Sequence, residues 1–370
     1  MILVVTLNPA LDVTHHVEEA DWAGVNRPHE VAARPGGKGV NVARVLLALG
    51  SDVLVTGLAG GAAGDAVRAG LQAAGVPADL TPIAAETRRT FAVVDTARGQ
   101  TGLFNEPGPP VSEAEFARFS GRFRAALPAC SAVVLTGSLP RGLPATCYAE
   151  LIRLAAGIPV VLDTDGPALR DGAEAGPAII KPNLDELERI TGRPLHAASG
   201  QAGGRAAGAG AGPAAAADAT ANGESAAADG GTGIALDGVR QAAEELRSAG
   251  AGAVVVTLGA AGLLAVTGDG TWLATPPGPE PGNPTGAGDA TVAGLARGLA
   301  LGQDWPERLR HATALGTAAV AAPVAGEFRA SRYRDLLPAI SIRPVPDRPG
   351  DDRSGADDDR SGADERRSSR

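Results

Sequence analysis

Aromatic residues are scarce in this 370-residue chain: three Trp, two Tyr and six Phe, 3% of the total. The hydrophobic share of 44% still supplies a sizeable core. That core must be built from Ala, Val and Leu, whose small volumes favour close packing of helices on a sheet. Cysteine is nearly absent as well. Cys130 and Cys147 are too few for a disulfide framework or a zinc site, and the five histidines show no metal-ligand spacing. Both cysteines read as reduced, buried spacers. An excess of basic charge is also lacking: the formal charge is −9 and no long basic stripe occurs. Nucleic acid is therefore excluded as the main partner, since binding its backbone needs clustered Lys and Arg. No apolar run is long enough to span a bilayer, and residues 1–6 read as a strand with no basic n-region or cleavage site. A cytoplasmic chain without a membrane partner is expected.

Lysine is the most informative scarcity. Only two of the 33 basic residues are Lys, and both lie in motif-like contexts. Lys38 stands inside Pro35-Gly36-Gly37-Lys38-Gly39-Val40-Asn41, and Lys181 opens Lys181-Pro182-Asn183-Leu184-Asp185-Glu186. A chain that otherwise uses Arg keeps Lys where a compact point charge fits and a planar guanidinium does not.

What is abundant is alternation. Short Val/Ile/Leu runs at 2–7, 53–58, 132–136, 160–163, 178–180 and 254–258 alternate with Ala-rich helical stretches, which predicts buried parallel strands in βαβ units. Residues 13–17 with 30–33, and 91–95 with 101–105, alternate polar and apolar positions without intervening helices. They predict a small antiparallel sheet projecting from the main fold. Residues 196–233 are almost entirely Ala, Gly, Ser and Asp with no apolar face, so a disordered insertion is expected there; a disordered tail is expected over 343–370. The remaining residues of 1–342 fit one α/β domain, with lid strands near 13–33 and 91–105. No solenoid repeat is visible.

Asn283-Pro284-Thr285-Gly286-Ala287-Gly288-Asp289 leads into a small apolar run. It reads as a Gly-rich turn opening a helix, where the N–H groups of Gly286, Ala287 and Gly288 can approach an anion with help from the helix dipole. A carboxylate beside such a site repels the ligand, so Asp289 makes sense as the acceptor of a proton from a hydroxyl that attacks phosphorus. The alternative is a Gly-capped turn whose Asp caps the helix. The Gly36–Asn41 run precedes an apolar helix, 42–49. It is not a Walker A loop, because Gly39 stands where Ser or Thr would reach magnesium. Two readings stay open: a structural turn, or close backbone approach to a sugar with Asn41 bonding its hydroxyls. Asn183 and Glu186, three apart at a helix start, form either a capping box or a water-mediated magnesium site at Glu186. Thr257-Leu258-Gly259-Ala260-Ala261-Gly262 ends a strand in a sharp turn, the floor of a nucleotide site or a hairpin. Arg88 and Arg89 lie beside a lid strand, solvated or paired with a substrate phosphate.

Together these segments resemble the PfkB carbohydrate kinase family of the ribokinase-like superfamily. Gly36 through Gly60 is similar to its first signature, including the spacing from Asn41 to Gly50 to Gly60, and Asn283 through Ala296 to its second. Thr6 through Asp12, Glu86-Thr87-Arg88 and Gly137-Ser138-Leu139-Pro140-Arg141-Gly142 resemble the branch acting on ketohexose phosphates: 1-phosphofructokinase, tagatose-6-phosphate kinase and the minor 6-phosphofructokinase. The resemblance implies a three-layer α/β/α domain with a β lid, ATP and Mg2+ as cofactors, and a homodimer formed through the lid. It implies Asp289 as catalytic base, with Gly286, Ala287 and Gly288 as anion hole. Asp12, Gly37 and Asn41 would bind sugar hydroxyls, with Lys38, Arg88 and Ser138 near the sugar or its phosphate. Lys181, Asn183 and Glu186 would act on the ATP phosphates and magnesium, and Thr257, Gly259 and Gly262 would line the nucleotide site. One departure stands out: two places after Arg88 the chain has Thr90, where the family often has Asn.

Overall fold

The computed structural model describes residues 1–195 and 234–346; the expected disorder at 196–233 and 347–370 lies outside the described residues. The apolar runs form the strands β1 (Ile2–Thr6), β4 (Val53–Ala59), β8 (Ala132–Thr136), β9 (Val160–Asp163), β10 (Ile179–Ile180) and β11 (Ala253–Thr257). With β5 (Ala78–Pro82), β12 (Leu263–Thr267), β13 (Gly270–Thr275) and β14 (Ser341–Val345) they make one ten-stranded sheet in the order β14-β13-β12-β11-β10-β9-β8-β1-β4-β5. Strands β5 through β11 in that order pair in parallel, and β12, β13 and β14 add antiparallel to the far edge.

Both faces of the parallel strands are apolar, so the period of two feeds two cores rather than one core and solvent. Leu3, Val5, Val133, Leu135, Val254 and Val256 point to one side. Their neighbours Ile2, Val4, Ala132, Val134, Ala253 and Val255 point to the other. The first core is covered by α3 (Glu113–Ala126), α4 (Cys147–Leu154), α5 (Pro167–Glu174), α6 (Leu184–Thr191) and α7 (Leu236–Ser248). The second is covered by α1 (Lys38–Ala48), α2 (Gly61–Ala73), α8 (Ala287–Ala300), α9 (Trp305–Val320) and α10 (Ala330–Leu336). The expected three-layer α/β/α architecture is present. Three of the few aromatics, Phe116, Phe119 and Phe123, stack along α3. Elsewhere small residues bring helices close. A Cβ at Gly294 of α8 would sit 2.6 Å from the Ala312 Cα of α9.

A separate four-stranded sheet, β3-β2-β6-β7, is formed by β2 (Ala10–Val17), β3 (Glu30–Gly36), β6 (Arg89–Asp95) and β7 (Gln100–Asn105). Its outer pairs are antiparallel, as the alternation predicts, while β2 and β6 in the middle run parallel. The reason is connectivity: β6 arrives from the edge strand β5 and enters the small sheet from the same side as β2. One boundary needs correction. The chain does not lose structure at 343, because Arg343, Pro344 and Val345 pair with Leu273, Trp272 and Thr271 in the last antiparallel ladder.

Candidate active site

The sequence of strands reverses direction between β1 and β8. After β1 the chain fills β4 and β5 on one side, then crosses to β8 on the other. A crevice opens outside the carboxyl ends of the strands at such a point, which is where ligands bind in open α/β sheets. Thr6 ends β1, Thr136 ends β8, Asp163 ends β9 and Lys181 follows β10.

Asp163 is the hub of this crevice. It is 1% exposed, accepts a 2.9 Å hydrogen bond from the Thr136 hydroxyl, and sits 3.1 Å from the Lys181 Nζ and 3.7 Å from the Lys38 Nζ. Burial acts to raise its pKa, but the two ammonium groups and the hydrogen bonds from Lys181 and Thr136 outweigh it and hold the carboxyl below its ordinary value. The only two lysines of the sequence thus converge on one carboxylate. Lys181 is buried, whereas the Lys38 side chain is 39% exposed and reaches the mouth.

Asp289 faces the same group of charges from α8. Gly286 caps that helix with φ 88°, a left-handed conformation in which a side chain would also press into Ala325. Asp289 is in the helix's first turn, buried, and its Oδ2 accepts a 2.9 Å hydrogen bond from the Asn41 Nδ2 of α1. Burial pushes its pKa up to about 6; the charge of Asp163 adds to this, while Lys38, the Asn41 amide and Lys181 oppose it. Gly288 faces Lys181, whose Nζ would lie 3.9 Å from a Cβ there. Of the three N–H groups expected to form an anion hole, that of Ala287 is turned onto the Pro284 carbonyl at 3.1 Å. Gly288 lies in the first helical turn, where N–H groups have no intrahelical acceptor.

Asn183 and Glu186 do form a capping box: each backbone N–H donates to the other's side chain at 2.8 Å. Glu186 is 6% exposed, and burial raises its pKa against the pull of Lys181 and Lys38, so it belongs to the same charge cluster. Thr257 bridges to Asn183, which brings the β11–β12 turn alongside. That turn is a hairpin closed by the Leu258 N–H on the Gly262 carbonyl. Gly259 and Gly262, both at positive φ, shape this turn beside Thr257.

The residues expected around a sugar gather where the small sheet meets the large one. Gly36 lies under Asp12, and a side chain on it would run into the Asp12 carboxylate. Gly37 packs on Pro9 and Ala10. Arg88 donates from Nε to the Asn8 carbonyl at 3.2 Å, and the Asn8 amide donates to the Ser138 hydroxyl at 3.0 Å. The motif Glu86-Thr87-Arg88 has a local cause. Glu86 accepts the N–H groups of Ala62 and Ala63 at the start of α2, and the Thr87 hydroxyl accepts that of Gly60, which fixes the approach of Arg88. Thr90 hydrogen-bonds Asp12. Burial raises the Asp12 pKa, opposed by Arg34, the Thr90 bond, Arg88 and Arg44.

The residues expected from the sequence sit at the carboxyl ends of the strands, in the β11–β12 turn, or where the small sheet meets the large one. Sequence reasoning missed Asp163, Thr136, Asn8 and Arg34 as site residues. Asp163 had a signal only in retrospect, as a carboxylate ending an apolar strand. Among the described residues no group of three or more His, Cys, Asp or Glu could hold a metal by itself, and no helix is long and apolar enough to cross a membrane.

Comparison with known proteins accords with this geometry. The family model for pfkB family carbohydrate kinases matches residues 5–216 and 220–329. Phosphofructokinase-2 from Escherichia coli is similar in a tetrameric inhibited form, at 27% identity and a TM-score of 0.75, covering 91% of this chain and 98% of that one. The same enzyme in complex with fructose-6-phosphate is 26% identical over the same shares, with a TM-score of 0.73. A candidate 1-phosphofructokinase from Thermotoga maritima is 24% identical, with 94% and 100% covered and a TM-score of 0.73. Ribokinase from Arabidopsis thaliana, with ribose and ATP bound, is 19% identical, with 91% and 98% covered and a TM-score of 0.66. The last two show the fold alone, which is ribokinase-like.

Proposed function

The chain belongs to the pfkB family of carbohydrate kinases, and from that premise we propose that it phosphorylates a ketohexose phosphate with ATP, fructose 1-phosphate before others, giving fructose 1,6-bisphosphate. The observation that carries this reading is Asp289: a buried carboxylate, oriented by Asn41, at the start of a helix and beside two lysines. The sugar hydroxyl attacks the γ-phosphorus, the bond from that phosphorus to the bridging oxygen of ADP breaks, and Asp289 takes the hydroxyl proton. Lys38 and Lys181 offer positive charge to the phosphates, and the open N–H groups at the start of α8 offer preorganised donors where charge develops. Asp12, Gly37 and Asn41 hold sugar hydroxyls, while Arg88 and Ser138 lie at the sugar's phosphate. Thr257, Gly259 and Gly262 flank the nucleotide.

The chemistry of the donor set fits magnesium. That ion keeps most of its waters beside phosphates and needs no cage of three protein ligands. Glu186, with Asn183 beside it, would hold it through water, and when bound the ion neutralises charge on the transferring phosphates.

A second reading has one specific support. The Escherichia coli phosphofructokinase-2 relative is seen with fructose-6-phosphate, so a 6-phosphofructokinase is the nearest alternative, with tagatose-6-phosphate kinase next to it. A sugar-phosphate-binding regulator without catalysis fits poorly, because it has no use for a buried base of raised pKa. The test is ATP turnover against fructose 1-phosphate, fructose 6-phosphate, tagatose 6-phosphate, fructose and ribose. Fructose 1-phosphate should give the highest kcat/KM; a preference for a 6-phosphate favours the second reading, and a preference for free sugar overturns both.

A further inference from the structure

The register of the small sheet places four polar residues in one row across its four strands. Asp12 of β2 is opposite Arg34 of β3 and beside Thr90 of β6, which in turn is opposite Asn105 of β7. Residues directly opposite in a ladder share a face, so Arg34 lies on the face of Asp12, which is also where Arg88 acts on that carboxylate. The next row on this face, Ala32, Thr14, Ala92 and Leu103, carries no charge. Positive charge on this face is thus gathered at the root of the lid, next to the sugar residues, and does not continue along it.

We propose that Arg34 is a specificity-determining residue: with Arg88 it forms a two-armed guanidinium clamp, one arm on each side of Asp12, that binds the phosphate already carried by the sugar. This deepens the phosphosugar reading and rests on it. Arg88 is tied by its Nε to the Asn8 carbonyl, so its Nε is not available to a phosphate. A dianionic phosphate takes more than one fork of donors, and guanidinium groups suit it because each can bind it with two parallel N–H bonds. Behind Arg34 stands Arg44 of α1, whose Nε is buried without a hydrogen-bond partner. Its guanidinium is held below its ordinary pKa by burial and then by the charge of Arg34. Arg34 and Arg44 repel one another, with Glu327 and Asp12 only partly offsetting this at Arg44, and an arriving anion relieves the repulsion.

The experiment compares Arg34→Gln, Arg34→Lys and Arg88→Ala with the parent enzyme. KM is measured for fructose 1-phosphate and ATP, and free fructose is measured as a competitive inhibitor. Arg34→Gln should raise KM for the phosphosugar tenfold or more, with less than twofold change in the inhibition constant of free fructose and in KM for ATP. Arg34→Lys should recover part of the loss, and the melting temperature shows that each variant is folded. An equal loss toward phosphorylated and free sugar would mean that Arg34 acts only by holding Asp12, and no loss would mean that it faces solvent; either overturns the proposal. If Arg88→Ala discriminates against the phosphosugar while Arg34→Gln does not, the clamp fails and the phosphosugar reading stands. A parent enzyme that binds free fructose as well as its phosphate overturns the reading, and the clamp with it.

Discussion

Asp289 combines two demands that oppose each other, and its substitution separates them. Asp289→Asn should lower kcat by on the order of 10² to 10⁴, because it removes a general base without changing volume. Single-turnover kinetics with ATP in excess checks this, and a variant keeping more than half of the parent kcat refutes the assignment. The pKa of about 6 sets the pH dependence. The base works only when ionised, so kcat/KM should hold above that value and fall about tenfold for each pH unit below it. Stability runs the other way. Asp289 titrates near 3.8 in the unfolded chain, so its contribution to folding is fully present below that value and is lost as pH rises through about 6. At pH 8 the native state therefore carries an ionised group it disfavours, and Asp289→Asn should be more stable by about 1 to 3 kcal/mol. Thermal melts at pH 8 and pH 4 test this, since the gain should vanish at the lower pH. Asp289 was legible from its Gly-rich context. Asp163 was not, because Asp163-Thr164-Asp165-Gly166 has the composition of a turn, and only its place at the end of a parallel strand in the crevice gives it a role. Arg34 was hidden among many arginines until strand register put it opposite Asp12.

Elements carry the next set of consequences. The sequence left α6 with two readings, cap or magnesium ligand, and the structure makes the cap without removing Glu186 from the charge cluster. Glu186→Gln keeps an acceptor for the Asn183 N–H and loses only the charge. Its melting temperature should stay within about 1 °C while its magnesium requirement rises several-fold; Glu186→Ala should lose a further ~1 kcal/mol of stability with the cap. Magnesium titrations of activity alongside melts separate the two effects, and an unchanged requirement in the Gln variant would leave Glu186 as a cap alone. Between α8 and α9 the contact is close enough that Gly294→Val should cost about 1 to 3 kcal/mol by overpacking, read as a fall in the urea midpoint. A midpoint at or above that of the parent would mean that α9 gives way at no cost. The parallel strands were readable because buried strands are continuous apolar runs. β5 was not: it is short, contains Thr81 and Pro82, and lies at an edge. β13 and β14 escaped because Trp272, Arg343 and Pro344 break the apolar pattern at the far edge of the sheet.

At the scale of the whole molecule, the face of the small sheet opposite Asp12 leaves Val31 and Phe104 more than half exposed, with the exposed Trp22 against Phe104, an apolar surface that needs a partner. A homodimer through this sheet is expected, and light scattering at micromolar concentration should return twice the chain mass. Phe104→Asp should return the single mass with its secondary structure retained, and a parent protein that is already a monomer would sink the assignment. The general arrangement, a doubly covered sheet with a small sheet attached, was legible from periodicity alone. The parallel pairing of β2 with β6 was not, because it depends on where the chain crosses between the two sheets. Those crossings number four, after β1, before α1, after β5 and before α3, and the row Arg34, Asp12, Thr90 and Asn105 lies beside all of them. In mechanical terms a tilt of the small sheet would turn about this row, with the strands beyond it as levers. Val17 stands five residues past Asp12, a lever arm of about 17 Å at the rise of an extended strand. A tilt of about 10° around that line would carry the tip by about 3 Å and leave the row nearly still. Residues on that line would move least in such a tilt, so the row would keep its place while the outer end of the small sheet swings.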